Sequence, residues 1–268
     1  MSEIRNNILN ESYQLIKTDC GLQIGCYNMP GYNAVHAVFA TNFGSVDRSF
    51  VMNGQRYDIP AGVAHFLEHK LFANEDGSDS FEKFSALGAD ANAYTSFNKT
   101  AYLFSCTDDY RAPLCELIDF VTHPYFTPES VANEIGIISE EIKMYDDNPG
   151  DRCFYGMLEG MYEHHSIRRN ICGSIESISK ITPEHRTVYI LSIFDMEIQN
   201  GGLCQFFVNS SRLLAPYVDQ CLITVDAEEQ RTLFSSFVSD NNIDLNHLES
   251  FTIEDVTEFA TQTERYDF

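Results

Sequence analysis

Basic residues are scarce in this sequence of 268 residues, which holds 17 Lys and Arg against 40 Asp and Glu and has a formal net charge of −23. Because a negative surface repels phosphate groups, we expect no direct binding to nucleic acid or to an anionic membrane. No apolar run approaches the roughly 18 residues that a membrane-spanning helix needs. The N-terminal segment also lacks the apolar core of a secretory signal, so we expect a cytoplasmic location and no membrane span.

Paired cysteine motifs are also missing. The eight cysteines are dispersed along the chain without a C-x-x-C pair. This spacing argues against a disulfide framework or a zinc knuckle, and it favours buried, reduced thiols. The hydrophobic content of 44% and the aromatic content of 13% are typical of a globular chain with a sizeable core.

The charge of the chain changes along its length. The last lysine is Lys180, and the segment Leu191–Phe268 holds 14 acidic residues and three arginines, a net charge of −11. A break in composition of this kind is typical of a domain boundary. We therefore predict one domain over residues 1–185 and an acidic helical domain over residues 186–268.

Several segments of the first domain have patterns that predict helices or strands. Residues 34–43 predict a strand, residues 63–72 a helix that is apolar almost all round, and residues 128–147 an amphipathic helix. The segments ANAYTSF and TAYLFSC predict a strand pair that turns at Asn98 and Lys99. A further helix is expected from about Phe154 to Glu163.

The first of these helices carries the motif HFLEH. Residues four apart share one face of a helix, so His65 and His69 can present two ring nitrogens to one zinc ion, with Glu68 beside it. The alternative is a core histidine and a solvent-facing glutamate, which an arbitrary H-x-x-E-H match fits equally well. Burying three ionisable groups on an apolar helix is costly unless they are paired or coordinated, which favours the metal hypothesis.

A hydrolytic zinc site needs a third protein ligand and an open position for water. The helix over residues 128–147 offers three glutamates. On a helical wheel Glu134 and Glu141 flank the apolar stripe, whereas Glu140 faces solvent. We therefore predict Glu141 as the third ligand and Glu134 as a neighbour that orients a ligand histidine.

Four segments in order, GVAHFLEHKLF, GADANAYTSFNKTAYLFS, EIGIISEEIKMYDDNP and GMYEHHSIRRNICGSIESISKITPEH, resemble the N-terminal catalytic module of the insulysin–pitrilysin–processing-peptidase family. The resemblance implies an α+β fold, a mainly antiparallel sheet with helices packed on one side. It implies zinc as the cofactor, with the ligands His65, His69 and Glu141. Glu68 is then the general base of a zinc-dependent metalloendopeptidase, in which a zinc-activated water attacks the peptide bond.

The resemblance also implies where a peptide binds. The residues Asn92, Ala93, Tyr94 and Thr95 match the edge strand along which the family lays an extended peptide substrate. An ordinary core hairpin is the alternative for this segment. Family enzymes close a chamber with a homologous second half, which supplies an Arg and a Tyr, and we expect a partner subunit to supply that half here.

After about Thr187 the chain departs from this pattern. The residues Glu197, Asn200-Gly201-Gly202, Gln205-Phe206-Phe207 and Asn209-Ser210 resemble a small helical domain related to a bacterial DNA mimic. The alternative is a solvated acidic domain without that role. Two functional hypotheses remain: an active zinc peptidase, or a catalytically incomplete protein that binds zinc or only a protein partner.

Overall fold

The computed structural model of the chain describes residues 2–6, 11–17, 23–52, 55–208, 210–248, 251–253, 256–263 and 266. These residues form two compact units. One is Ala34–Tyr189, and the other combines Met1–Asn33 with Ile190–Phe268.

The strands of the described residues are β1 (Ser2–Asn6), β2 (Glu11–Lys17), β3 (Gln23–Cys26), β4 (Val35–Thr41), β5 (Ser49–Met52), β6 (Gln55–Asp58), β7 (Ala89–Thr95) and β8 (Thr100–Cys106). The α-helices are α1 (Val63–Leu71), α2 (Ser80–Ala86), α3 (Arg111–Thr122), α4 (Pro128–Asp147), α5 (Pro149–Met161), α6 (Ile175–Ile178), α7 (Arg186–Val208), α8 (Ala215–Thr224), α9 (Glu228–Asp240) and α10 (Val256–Thr263). Within the described part of the chain, we find no helix with the length and apolar character needed to cross a bilayer.

The unit Ala34–Tyr189 is built on an antiparallel sheet in the order β4-β8-β7. Every second side chain of β4 and β7 is exposed, so one face of these strands meets solvent. Helices α1, α2 and α3 pack on this sheet. The α+β class predicted from the sequence is therefore confirmed, with the helices on one side of the sheet.

The core of this unit lies between the sheet and α1. Phe66 and Leu67 of α1 are buried, and so are Tyr102 and Phe104 of β8. The hydroxyl of Tyr102 donates to the carbonyl of Leu67 at 3.5 Å, which ties strand to helix. Burial of each large apolar side chain stabilises the fold by roughly 1.5–3 kcal/mol. This packing holds the HFLEH segment rigidly against the sheet.

Helix α4 begins with a side-chain cap at Thr127. The Thr127 hydroxyl accepts from the Ser130 N–H at 3.1 Å, and Pro128 occupies the first turn. The predicted start of the next helix at Phe154 is wrong, because α5 already begins at Pro149. The side chain of Asn148 accepts from backbone N–H groups beyond that proline, so Pro149 opens a helix as well as following one.

The unit that contains Ile190–Phe268 holds the antiparallel sheet β1-β2-β3 and the helices of the acidic segment. Its core is aromatic, with Phe206, Phe207 and Phe237 fully buried. The buried Gln205 amide donates to the buried Glu197 carboxylate at 3.0 Å, so these two residues of the predicted signature contact each other. Asn209 of that signature lies outside the described residues.

Candidate metal centre

Helix α1 places His65 and His69 one turn apart on the same face, with ring centroids 4.5 Å from each other. Helix α4 crosses that face and brings Glu141 to both rings. The Nε2 atom of His65 lies 3.6 Å from one Glu141 oxygen, and the Nε2 atom of His69 lies 3.3 Å from the other. Each of the two imidazoles chosen from the sequence therefore contacts one oxygen of the Glu141 carboxylate.

Glu134 holds the far side of the His69 ring. Its Oε1 atom lies 3.1 Å from Nδ1 of His69, so it fixes which nitrogen faces Glu141. Burial by itself lowers the pKa of His69, but the hydrogen bond and charge of Glu134, together with the charges of Glu141 and Glu68, raise that pKa above its ordinary value. Glu140 is exposed and pairs with Lys143 at 2.6 Å, as the helical wheel predicted.

His65 is more deeply buried than His69, and this burial disfavours its charged form. Burial, followed by the charge of His69, lowers the pKa of His65 to about 3. Its Nδ1 atom is buried without a hydrogen-bond partner among the described residues. A neutral imidazole is the form that coordinates a metal ion, so the state of His65 fits that role.

Glu68 is buried on the same turn of α1. Its Oε2 atom accepts a hydrogen bond from the Thr95 hydroxyl at 2.6 Å. Burial raises the pKa of Glu68, whereas the Thr95 hydrogen bond and the charge of His69 act in the opposite direction. A carboxylate with a raised pKa is suited to take up and release a proton near neutral pH.

Cys172 also reaches this cluster, although sequence reasoning assigned it no role. Its Sγ atom lies 3.8 Å from Nε2 of His65. Donor atoms of His65, Glu141 and Cys172 all lie within 4.8 Å of one another. Burial and the nearby carboxylates of Glu141 and Glu68 raise the pKa of the Cys172 thiol to about 12. The residue stands alone in the sequence, so no spacing rule points to it.

Two glycines set the position of Cys172. Gly62, at the start of α1, has φ +93, and a Cβ there would lie 2.5 Å from the Cys172 carbonyl oxygen. Gly173 has φ +77, and a Cβ there would lie 2.5 Å from the Ala61 carbonyl oxygen. Only glycine tolerates both the backbone conformation and the contact. The cysteine-bearing loop is therefore locked against the first turn of the HFLEH helix.

Strand β7 lies at an edge of its sheet, where β8 is its only partner among the described strands. The Ser96 N–H donates to the Lys99 carbonyl at 2.8 Å. From that pair, hydrogen-bonded and non-hydrogen-bonded residue pairs alternate along the hairpin. The N–H and C=O groups of Ala93 and Thr95 therefore point away from β8. The Ala93 N–H is taken up by the side chain of Asn92 at 2.8 Å, and Tyr94 is exposed.

Comparison with known proteins supports the same assignment of the fold. Residues 48–174 match the family model described as "Insulinase (Peptidase family M16)". The chain carries an insulinase-family (M16) module. An "Uncharacterized zinc protease YmfH" of Bacillus subtilis is 49% identical to this M16 chain over 242 residues, which cover 84% of this chain and 55% of that protein. An "Uncharacterized zinc protease" of Rickettsia felis is 28% identical over 201 residues, which cover 73% of this chain and 45% of that protein.

A solved structure agrees with these relatives. The M16-like peptidase of Alicyclobacillus acidocaldarius has a TM-score of 0.63 and 40% identity, and the match covers 66% of this chain and 42% of that one. Residues 179–267 match a second family model, described as "DMP19-like protein". The M16 chain spans about half the length of the curated relatives it matches.

Proposed function

We propose that this M16 chain is a zinc-dependent endopeptidase module whose ligands are His65, His69 and Glu141. The observation that carries the proposal is the convergence of both Nε2 atoms on the Glu141 carboxylate, with the buried Glu68 on the same helix face. Two imidazoles and one carboxylate are the protein ligands of many hydrolytic zinc sites. Glu134 supports the site by holding His69 through Nδ1.

When bound, zinc supplies a Lewis acid that polarises the scissile carbonyl and makes a water molecule more acidic. Glu68 takes the proton of the attacking water and later delivers it to the leaving amine. Thr95 orients this carboxylate through its hydroxyl, which leaves the second Glu68 oxygen available for the water. Burial around α1 keeps the proton transfer away from bulk solvent.

The substrate is an extended peptide that adds to the free edge of β7. Ala93 and Thr95 offer the outward backbone groups, while the exposed side chains of Asn92 and Tyr94 flank the peptide. The Asn92 side chain has to release the Ala93 N–H when the peptide pairs there, because one donor cannot serve both partners. Thr95 joins this strand to Glu68, so a peptide on β7 runs past the proposed general base.

A complete chamber requires a second half. Because the chain spans about half of its curated relatives, we propose that a homologous partner subunit supplies the rest of the peptide-binding chamber. In this proposal the peptidase module comprises residues 1–185 and the acidic helical domain comprises residues 186–268. The proposed location of the protein is the cytoplasm. If the partner half is absent, the second hypothesis applies, a zinc-binding interaction protein without cleavage.

The test is cleavage of a quenched fluorescent peptide mixture by wild type and by Glu68→Gln, each alone and with a separately purified homologous second half. Glu68→Gln should retain zinc and lose cleavage by at least the roughly 100-fold that a general base contributes. The matched control is Glu140→Gln, an equal substitution at an exposed glutamate. Cleavage that survives in Glu68→Gln, or wild type that cleaves nothing with the second half present, would contradict the proposal.

A further inference from the structure

We propose that the Cys172 sulfur is a fourth protein ligand of this centre and closes the position that a water molecule would otherwise take. The inference rests on the proposed zinc site and adds a ligand to it. Zinc accepts thiolate, imidazole and carboxylate donors together, and sites with four protein ligands are closed. With zinc bound, Cys172 would complete a centre of four protein ligands.

The distances between the donor atoms support this assignment. In a tetrahedral zinc site with ordinary bond lengths, neighbouring donors lie about 3.4–3.6 Å apart, the larger value applying to sulfur and nitrogen. Here Sγ of Cys172 lies 3.8 Å from Nε2 of His65, and that nitrogen lies 3.6 Å from Glu141. The Nε2 atom of His69 lies 3.3 Å from the other Glu141 oxygen. Donor atoms of His65, Glu141 and Cys172 lie within 4.8 Å of one another, and His69 reaches the same carboxylate through its other oxygen.

The surroundings of Cys172 hold its sulfur beside the proposed ligands. Its sulfur lies 3.8 Å from Nε2 of His65 and within 4.8 Å of a Glu141 carboxylate oxygen, so it stands beside two proposed ligands. The residue is only 4% exposed, and its loop is held by Gly62 and Gly173. A sulfur fixed at that point competes directly with water for the ion.

The proton balance of this step is simple. Formation of the metal–sulfur bond breaks the S–H bond, and the thiol proton passes to solvent. Were zinc held by this sulfur, cleavage would require Cys172 to give up its place to water and to take back a proton from solvent.

The test uses cobalt(II) as a spectroscopic substitute for zinc in the full chain. Cobalt is titrated into metal-free wild type, Cys172→Ala and Cys106→Ala, the last a matched control at another buried thiol. Wild type and Cys106→Ala should show an intense near-ultraviolet thiolate-to-cobalt band. Cys172→Ala should lose the band but still bind cobalt through its remaining ligands. Its cobalt affinity should fall at least as much as when a residue that hydrogen-bonds a metal ligand is removed, roughly 10–100-fold.

The outcomes separate the two proposals. If wild type binds no cobalt, the metal centre itself is wrong. If wild type binds cobalt without a thiolate band, the centre stands and the role of Cys172 is overturned; this result needs no variant, so a misfolded Cys172→Ala cannot obscure it. A band that persists in Cys172→Ala would assign the sulfur to another cysteine and would also overturn the inference.

Discussion

Replacing Glu134 by glutamine should weaken metal binding without removing a proposed ligand. Glu134 lies 3.1 Å from Nδ1 of His69, and its charge strengthens the electron donation of Nε2 toward the ion. Glutamine keeps the size and one acceptor oxygen but removes the charge. Loss of such an outer carboxylate typically weakens metal binding roughly 10–100-fold, about 1.4–2.7 kcal/mol.

The assay is a competition titration of zinc between the protein and a chromophoric chelator. It should be run well above the pKa of His69, which nearby carboxylates raise above the ordinary imidazole value, so that protons do not compete for the ring. The control is Glu140→Gln, on the same helix but exposed and paired with Lys143. A second readout is the pKa of His69 in metal-free protein, which should fall in Glu134→Gln and stay unchanged in the control.

Equal zinc affinity in Glu134→Gln, Glu140→Gln and wild type would refute this reasoning. A loss of affinity accompanied by unfolding would instead point to Lys70, whose buried ammonium has no hydrogen-bond partner among the described residues and whose charged form the Glu134 charge favours. Circular dichroism and the melting temperature separate these cases, since a purely electrostatic effect on His69 leaves the fold intact.

Three further predictions concern stability and proton transfer. Gly173→Ala should lower the free energy of unfolding by at least about 1–2 kcal/mol, because residue 173 has a positive φ. Gly156→Ala, in a helical position with open space around it, should raise the free energy of unfolding by about 0.5–1 kcal/mol. Urea unfolding measures both, and an unchanged stability in Gly173→Ala would contradict the loop packing. Thr95→Val should raise the pKa of Glu68 further because it removes the hydroxyl that donates to the carboxylate, whereas Thr95→Ser should leave that pKa unchanged. Carboxyl NMR of metal-free protein measures the pKa, and the same value in wild type and Thr95→Val would contradict a role for the hydroxyl. The pKa of His65 is lower in the folded than in the unfolded chain, so the unfolded chain binds the extra proton as the pH falls, and this residue should lower the stability of metal-free protein by about 2 kcal/mol between pH 7 and about pH 5. In urea titrations the free energy of unfolding of His65→Gln should depend less steeply on pH. An equally steep dependence in wild type and His65→Gln would contradict the prediction.

Much of the site follows from helical periodicity. The burial of α1, and the orientation of Glu134 and Glu141 toward it with Glu140 facing solvent, were predictable because a 3.6-residue repeat fixes which side chains share a face. The sheet β4-β8-β7 was also predictable, since its strands alternate or are strongly apolar. These are local properties that a short window of sequence contains.

Features that depend on distant residues were not predictable in this way. Cys172 lies 107 residues from His65, and it reaches the cluster only because Gly62 and Gly173 allow two loops to approach closely. The hairpin β5-β6 escaped prediction because its strands are four residues each, too short for a clear alternation. The Thr95–Glu68 hydrogen bond likewise joins a strand and a helix whose register no single segment reveals.

The central claim is that His65, His69 and Glu141 form one zinc centre, and metal stoichiometry tests it most directly. Wild type purified with added zinc and then dialysed should hold about one zinc ion per chain by mass spectrometry of the metal. The double variant His65→Ala, His69→Ala should hold none and keep its far-ultraviolet circular dichroism, whereas Glu140→Gln should bind as wild type does. Zinc-free wild type, or a folded double variant that retains a full equivalent of zinc, would contradict the account.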